Sequence, residues 1–247
     1  MAASKKRLDL VVLAKGLAHS RQRAQALIMA GKVLVNNQIV DKPGTPVFPE
    51  DDIVLQGKDH PYVSRGGLKL EKALHTLGID INGFVCLDVG ASTGGFTDCL
   101  LQHGAGRVYA IDVGYGQLAW KLRQNPRVVV IERMNIRHMQ SETLPQLVDL
   151  VTIDVSFISL KKVVPDVLKY MKKSAGILAL IKPQFEVGKK NVGKGGVVRD
   201  PTLHTEVIAN LCDFFVKKYL FCEWVIPSPI LGPKGNREFF MSLKFKS

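Results

Sequence analysis

The rhythm of apolar and polar positions changes near residue 60 of the 247-residue chain. Up to Leu55 the elements are short. SRQRAQALIMAG predicts a helix: Ser20 is a good N-cap and Gly31 a good stop. Leu27 and Ile28 can face a small core while Arg21, Arg23 and Gln25 stay in water. KVLVNNQIV predicts a hairpin turning at Asn36-Asn37, and DIVLQ a last short strand. KDHPYV combines charge and proline without any period and reads as a linker. RGGLKLEKALHTLG then predicts a helix with Leu68, Ala73, Leu74 and Leu77 on or near one face. The expected division is a first unit over 1–58, a linker over 59–63 and a second unit over 64–247.

From Phe84 strands and helices alternate. FVCLDVG, RVYAIDVG, RVVVIE, VDLVTIDVSF and GILALIKP predict five apolar strands; GGFTDCLLQHG and LHTEVIANLCDFFVKKY predict helices. LFCEWVIPSP and REFFMSLKF, rich in aromatic and β-branched residues, predict a closing antiparallel pair. Continuous apolar strands alternating with helices mean a parallel sheet covered on both faces, an α/β fold. Ligands of such sheets sit at the carboxyl ends of the strands.

Charge narrows the partner. Lys and Arg number 34 against 22 acids, a net charge of +12, which favours a polyanion. Both units contribute: nine basic against six acidic residues over 1–63, and 25 against 16 over 64–247. No apolar run approaches the roughly 18 residues of a membrane helix. The start, MAASKKRLDLVV, lacks a signal-peptide core, so no membrane partner and a cytoplasmic location are expected. Cys86, Cys99, Cys212 and Cys222 are scattered, with no CxxC pair, and read as reduced thiols. The six histidines lack HExxH spacing, so no metal site is expected.

Residues 87–98, LDVGASTGGFTD, end a strand in three glycines, Gly90, Gly94 and Gly95. A dinucleotide loop needs GxGxxG, and Ser92 stands where the middle glycine should let backbone reach the pyrophosphate. Asp112, ending the second strand, is a candidate for ribose hydroxyls. A tight strand-to-helix turn without ligand stays open as the alternative. Further on, Asp154 and Lys182 end apolar strands, Glu238 begins a late one and Lys69 sits on the first helix of the second unit. Each alone could be a solvated strand end or a structural ion pair. QFEVGKKNVGKGGVVRD follows Lys182, and is either a solvated loop or a lid that orders over RNA.

DVGASTGGFTD resembles the S-adenosylmethionine (SAM) loop of Rossmann-like methyltransferases, in the version of FtsJ-type RNA ribose methyltransferases. Lys69, Asp154, Lys182 and Glu238 match the Lys-Asp-Lys-Glu tetrad of that group in order and element. SRQRAQALIMAGKVLVNN resembles an S4 RNA-binding domain. With YVSRGGLKLEKAL added, nearly the whole chain is similar to the TlyA (haemolysin A) family.

The resemblance implies a Rossmann-like SAM methyltransferase fold with a small N-terminal α+β S4-like domain. It implies SAM as cofactor, held by Asp88, Gly90, Ser92, Thr93, Gly94, Gly95 and Phe96, with Asp112 on the ribose and Asn135 near the adenine. It implies RNA contacts from Arg21, Arg23, Lys32, Arg65, Lys189, Lys190 and Lys194, and ribosomal RNA or ribosomal subunits as partner, with cytidine the target. The expected chemistry is 2′-O-methyl transfer, with Lys182 as base, Asp154 and Glu238 orienting it and Lys69 steering the hydroxyl. Two other readings compete: an RNA-binding assembly protein with an idle methyltransferase fold, and a membrane-active haemolysin. The target nucleotide, the subunit and the oligomeric state are not legible.

Overall fold

A computed structural model of the protein describes residues 4–18, 20–55 and 60–246. The expected boundary at 58 and the first linker residue lie outside these, as does the side chain of Lys189. Backbone contacts divide the chain into two compact units, Met1–Pro61 and Tyr62–Ser247.

The first unit runs β1 (Lys6–Arg7), α1 (Leu8–Ala14), α2 (Arg21–Met29), β2 (Val33–Val35), β3 (Gln38–Ile39), β4 (Pro46–Val47) and β5 (Ile53–Leu55). Ser20 caps α2 by accepting from the Arg23 N–H at 3.1 Å. Asn36 and Asn37 take φ of 50° and 65°, the two left-handed residues that a tight hairpin needs, and β2 then pairs antiparallel with β3 and β5. Leu8, Val12, Ala24, Ile28 and Val33 form the core, each fully buried. Asp9 is buried among them but not unpaired. It accepts from Arg7 Nε (3.0 Å), Arg21 Nε (3.0 Å) and Gln25 Nε2 (2.8 Å), and the Arg7 guanidinium first of all holds its carboxyl far below the usual range.

The second unit opens with α3 (Gly66–Leu77). It continues as β6 (Val85–Val89), α4 (Gly95–Gln102), β7 (Arg107–Ile111), α5 (Trp120–Arg123), β8 (Val128–Ile131), β9 (Val148–Ile153), α6 (Val164–Val167), β10 (Met171–Ile181), α7 (Pro183–Glu186), α8 (Pro201–Val216), β11 (Leu220–Pro227) and β12 (Phe239–Phe245). The seven strands lie in the order β11-β12-β10-β9-β6-β7-β8. Strand β12 alone runs against the rest, between β10 and β11. Apolar layers cover both faces: Leu87, Val151 and Ile177 point into one, Cys86, Val108 and Leu178 into the other. The chain leaves β6 toward β7 and β8 on one side and returns to β9 and β10 on the other. The switch point, where a ligand crevice belongs, is thus between β6 and β9.

Two details depart from expectation. The β8-to-β9 crossover holds only two 3₁₀ turns, Ile136–His138 and Ser141–Thr143, because RMNIRHMQSETLPQ has no helical period. The four thiols are not all scattered: Cys212 on α8 and Cys222 on β11 meet with sulfurs 2.6 Å apart.

Candidate active site

The loop after β6 is bare for more than one reason. Gly90 has φ +85°, and a Cβ there would stand 2.5 Å from the Asp154 carbonyl oxygen, so the ends of β6 and β9 approach as only glycine allows. Gly94, at φ +98°, starts α4, and a Cβ would meet Leu122 Cδ1 at 2.3 Å. A Cβ on Gly95 would meet Ser64 Oγ at 2.2 Å. The protein's own side chains thus fill space beside two of these glycines. Gly94 and Asp88 lie outside the linings of the two cavities described below. Asp88 is fully buried beneath the loop and accepts from Thr97 Oγ1 (2.6 Å) and Thr152 Oγ1 (3.0 Å), tying α4 to β9. Burial pushes its carboxyl up to about 6, against the pull of those hydroxyls.

Two cavities open at the switch point. The larger, about 590 Å³, is lined by Gly90, Ser92, Asp112 and Asn135 together with apolar Ile111, Ile136 and Val155. Its size suits a cofactor. Asp112 accepts from the Ser92 and Gly114 N–H groups, both at 2.7 Å, which fixes its carboxylate at the rim of the loop. Each oxygen keeps a lone pair for a ribose hydroxyl. These residues fit SAM: an acid for the ribose, apolar walls for a ring, and bare backbone for the amino-acid end. The smaller cavity, about 310 Å³, is lined by Arg65, Lys69, Thr93, Gly95, Phe96, Lys182 and the 230–233 segment. Gly90, Ser92, Asp154 and Ser156 line both, so the two spaces adjoin.

The four charged residues form two ion pairs. Lys182 Nζ lies 2.5 Å from Asp154 Oδ1, and Lys69 Nζ lies 2.5 Å from Glu238 Oε2. Glu238 therefore pairs with Lys69, while Lys182 pairs with Asp154. Each lysine is only 8 % exposed and Glu238 2 %, so these charges are paired away from bulk water. A Cβ on Gly232 would fall 2.0 Å from Glu238 Oε1, so the 230–233 segment presses directly on this carboxylate. Ser156, which sequence reasoning passed over, accepts from Lys182 Nζ at 3.0 Å. Its position two residues after Asp154 was the available signal.

The expected RNA residues divide by unit. In the first, Lys32 is exposed, Arg21 leans on Asp9, and Arg23 lies 2.9 Å from His60 Nε2. In the second, Arg65 lines the smaller cavity, and Lys190 and Lys194 are exposed on the segment following α7, where Lys189 also falls.

A sheet with one reversed inner strand, a glycine turn at its switch point and an acid on the next strand define a Rossmann-like methyltransferase that uses SAM. The family model for FtsJ-like methyltransferases matches residues 62–245 and that for the S4 domain residues 6–53. The chain belongs to the TlyA (haemolysin A) family of FtsJ-like methyltransferases. It is 46 % identical over 243 residues to the 16S/23S rRNA (cytidine-2′-O)-methyltransferase TlyA of Mycobacterium tuberculosis, covering 98 % of this chain and 91 % of that protein. It is 45 % identical over 244 residues to the candidate rRNA methyltransferase YqxC of Bacillus subtilis, covering 98 % and 87 %. A solved candidate hemolysin from Streptococcus thermophilus is 40 % identical, with a TM-score of 0.78 over 100 % of this chain and 90 % of that one. Among the described residues no helix is long and apolar enough to cross a membrane.

Proposed function

We propose that the protein transfers a methyl group to a ribose 2′-hydroxyl of ribosomal RNA, with cytidine as the target nucleoside and ribosomal subunits as the particle met in the cytoplasm. The observation that carries this reading is the pair of adjoining cavities. One fits SAM; the other holds the buried Lys182 amine, and they share Gly90, Ser92, Asp154 and Ser156.

Bound SAM supplies an activated methyl on a sulfonium. The chain's own residues have to orient a ribose hydroxyl and take its proton, because a neutral hydroxyl is a weak nucleophile. Lys182 is the proton acceptor, Asp154 fixes its amine, and Lys69, paired with Glu238, lines the same cavity and steers the hydroxyl. A positioned base gives about 10²–10⁴-fold, and alignment of the two reactants in adjoining sites can give more. The first unit, taken as 1–58 and joined through 59–63 to the methyltransferase unit at 64–247, supplies grip on RNA. Arg21, Arg23, Lys32, Arg65, Lys189, Lys190 and Lys194 serve phosphate contacts, which need positive charge but no particular base.

The test is Lys182→Ala, assayed on ribosomal subunits that lack the mark. Turnover should vanish while SAM affinity by calorimetry stays within about two-fold, since the amine acts on the acceptor's side. Mapping 2′-O-methyl marks on rRNA with and without the protein identifies the nucleotide. Methylation by the variant at the wild-type rate removes Lys182 from the mechanism.

A further inference from the structure

We propose that Ser156 is a positioning residue for Lys182, setting the direction in which its amine meets the ribose hydroxyl. This rests on the reading of Lys182 as proton acceptor.

A lysine nitrogen is tetrahedral, with one bond to carbon and three remaining directions. Ser156 Oγ, at 3.0 Å, accepts a hydrogen bond along one of them. Asp154 Oδ1 stands 2.5 Å away as an ion-pair partner, without the geometry of a hydrogen bond. The carboxylate therefore holds the amine in place by charge, and the serine is the group that fixes its rotation. With one N–H held by Ser156, the lone pair of the neutral amine can be kept toward the cavity that Lys182 lines. With the Asp154 charge as the single anchor, the amine is free to rotate about its Cε–Nζ bond, and the lone pair sweeps away from the hydroxyl. The hydroxyl of Ser156, once it accepts from Nζ, also keeps its own proton to donate into either cavity it lines.

The surroundings fix Ser156 in turn. The Asp154 N–H bonds the Val89 carbonyl at 2.9 Å, anchoring the segment where it leaves β9. Phe157 takes φ +63°, a left-handed turn directly after the serine. Ser159 Oγ and the Leu160 N–H then donate to the two oxygens of Glu186 at 2.6 and 2.8 Å. Glu186 ends α7, the turn that begins just after Lys182. The lysine's own helix thus clamps the segment that carries its second anchor. The charged groups facing the amine are Asp154 from the end of β9 and, from the walls of the same cavity, Lys69 on α3 and Arg65 before it. No covalent step beyond the proposed methyl transfer is involved.

The experiment compares wild type, Ser156→Ala, Ser156→Thr, Ser156→Cys and Lys182→Ala in single-turnover methylation of unmodified ribosomal subunits at saturating SAM, across pH. Ser156→Ala should slow the step about ten-fold, the scale of a lost hydrogen bond to a charged group. SAM affinity should change less than about three-fold. The acid limb of its pH–rate profile should move to lower pH, because the ammonium loses an acceptor. Ser156→Thr, which keeps the hydroxyl, should restore both rate and profile; Ser156→Cys, a weak acceptor of similar size, should fall between. If Ser156→Ala does not fold, the Thr and Cys variants carry the same comparison. An unchanged rate and pH limb, or a loss confined to SAM or RNA affinity, overturns the role of Ser156. Full activity of Lys182→Ala overturns the reading beneath it.

Discussion

Asp88 and Asp9 are both buried carboxylates, yet their environments push them in opposite directions. Asp9 meets two guanidinium groups and is held in its charged form. Asp88 meets only hydroxyls and backbone, with Asp154 nearby adding repulsion, and rises from 3.8 to about 6. The linkage then has a definite sign. Above about pH 6 Asp88 is ionised in folded and unfolded chains alike, and its buried charge costs the folded state. As pH falls from 6 toward 4 the folded chain takes up the proton first, so stability from this group rises on acidification. The full swing is up to about 3 kcal/mol. Asp88→Asn should flatten this interval: measured by urea unfolding, wild type gains on the variant between pH 6.5 and 4. Parallel curves over that range would mean that Asp88 takes up no proton there.

Elements were legible where burial is continuous. FVCLDVG, RVYAIDVG and GILALIKP are apolar except for charges near their ends, which suits an inner strand covered on both faces, and they are β6, β7 and β10. The pair of closing strands was legible too, but not the insertion of β12 beside β10, which depends on contacts between distant segments. The same limit explains the tetrad. Chain order gives the four residues, but Lys69 and Glu238, 169 positions apart, reveal their pairing only in space. The glycine turn shows two levels of constraint on one element, and a matched pair of substitutions separates them. Gly78, at the end of α3, has φ +61°, and a Cβ there would meet nothing within 4 Å, so Gly78→Ala should cost about 1–2 kcal/mol of left-handed strain alone. Gly90→Ala adds collision with backbone at 2.5 Å. Strands β6 and β9 must part there, so it should cost at least about 1 kcal/mol more by thermal or denaturant unfolding, and it should lower SAM affinity where Gly78→Ala does not. Equal losses in both assays would mean that the strand ends yield freely.

At the scale of the whole molecule, charge and geometry make separate demands on RNA binding. The net charge of +12 supplies attraction that any polyanion feels and salt weakens. Geometry is local, and Asp9 exemplifies it. Its buried carboxylate holds the half-exposed Arg7 and Arg21, so these guanidiniums start out ordered and would lose less freedom in a contact with phosphate. The two effects predict opposite outcomes for Asp9→Asn. The variant is more positive by one charge, so attraction at a distance favours tighter binding. Loss of the anchor frees both arginines, and binding should weaken. The second effect should win, because the contact is made at hydrogen-bond range while one added charge among many is screened within about 10 Å at 0.1 M salt. Binding of rRNA by the full-length variant should therefore be several-fold weaker at 0.1 M salt, with folding checked by the α1–α2 helical signal. Arg21→Ala provides the reference: weaker binding to every sequence and a slope of log K against log salt smaller by about 0.9. If Asp9→Asn instead binds more tightly with an unchanged slope, charge alone governs RNA contact in this unit, and the fork around Asp9 serves only to hold α1 against α2.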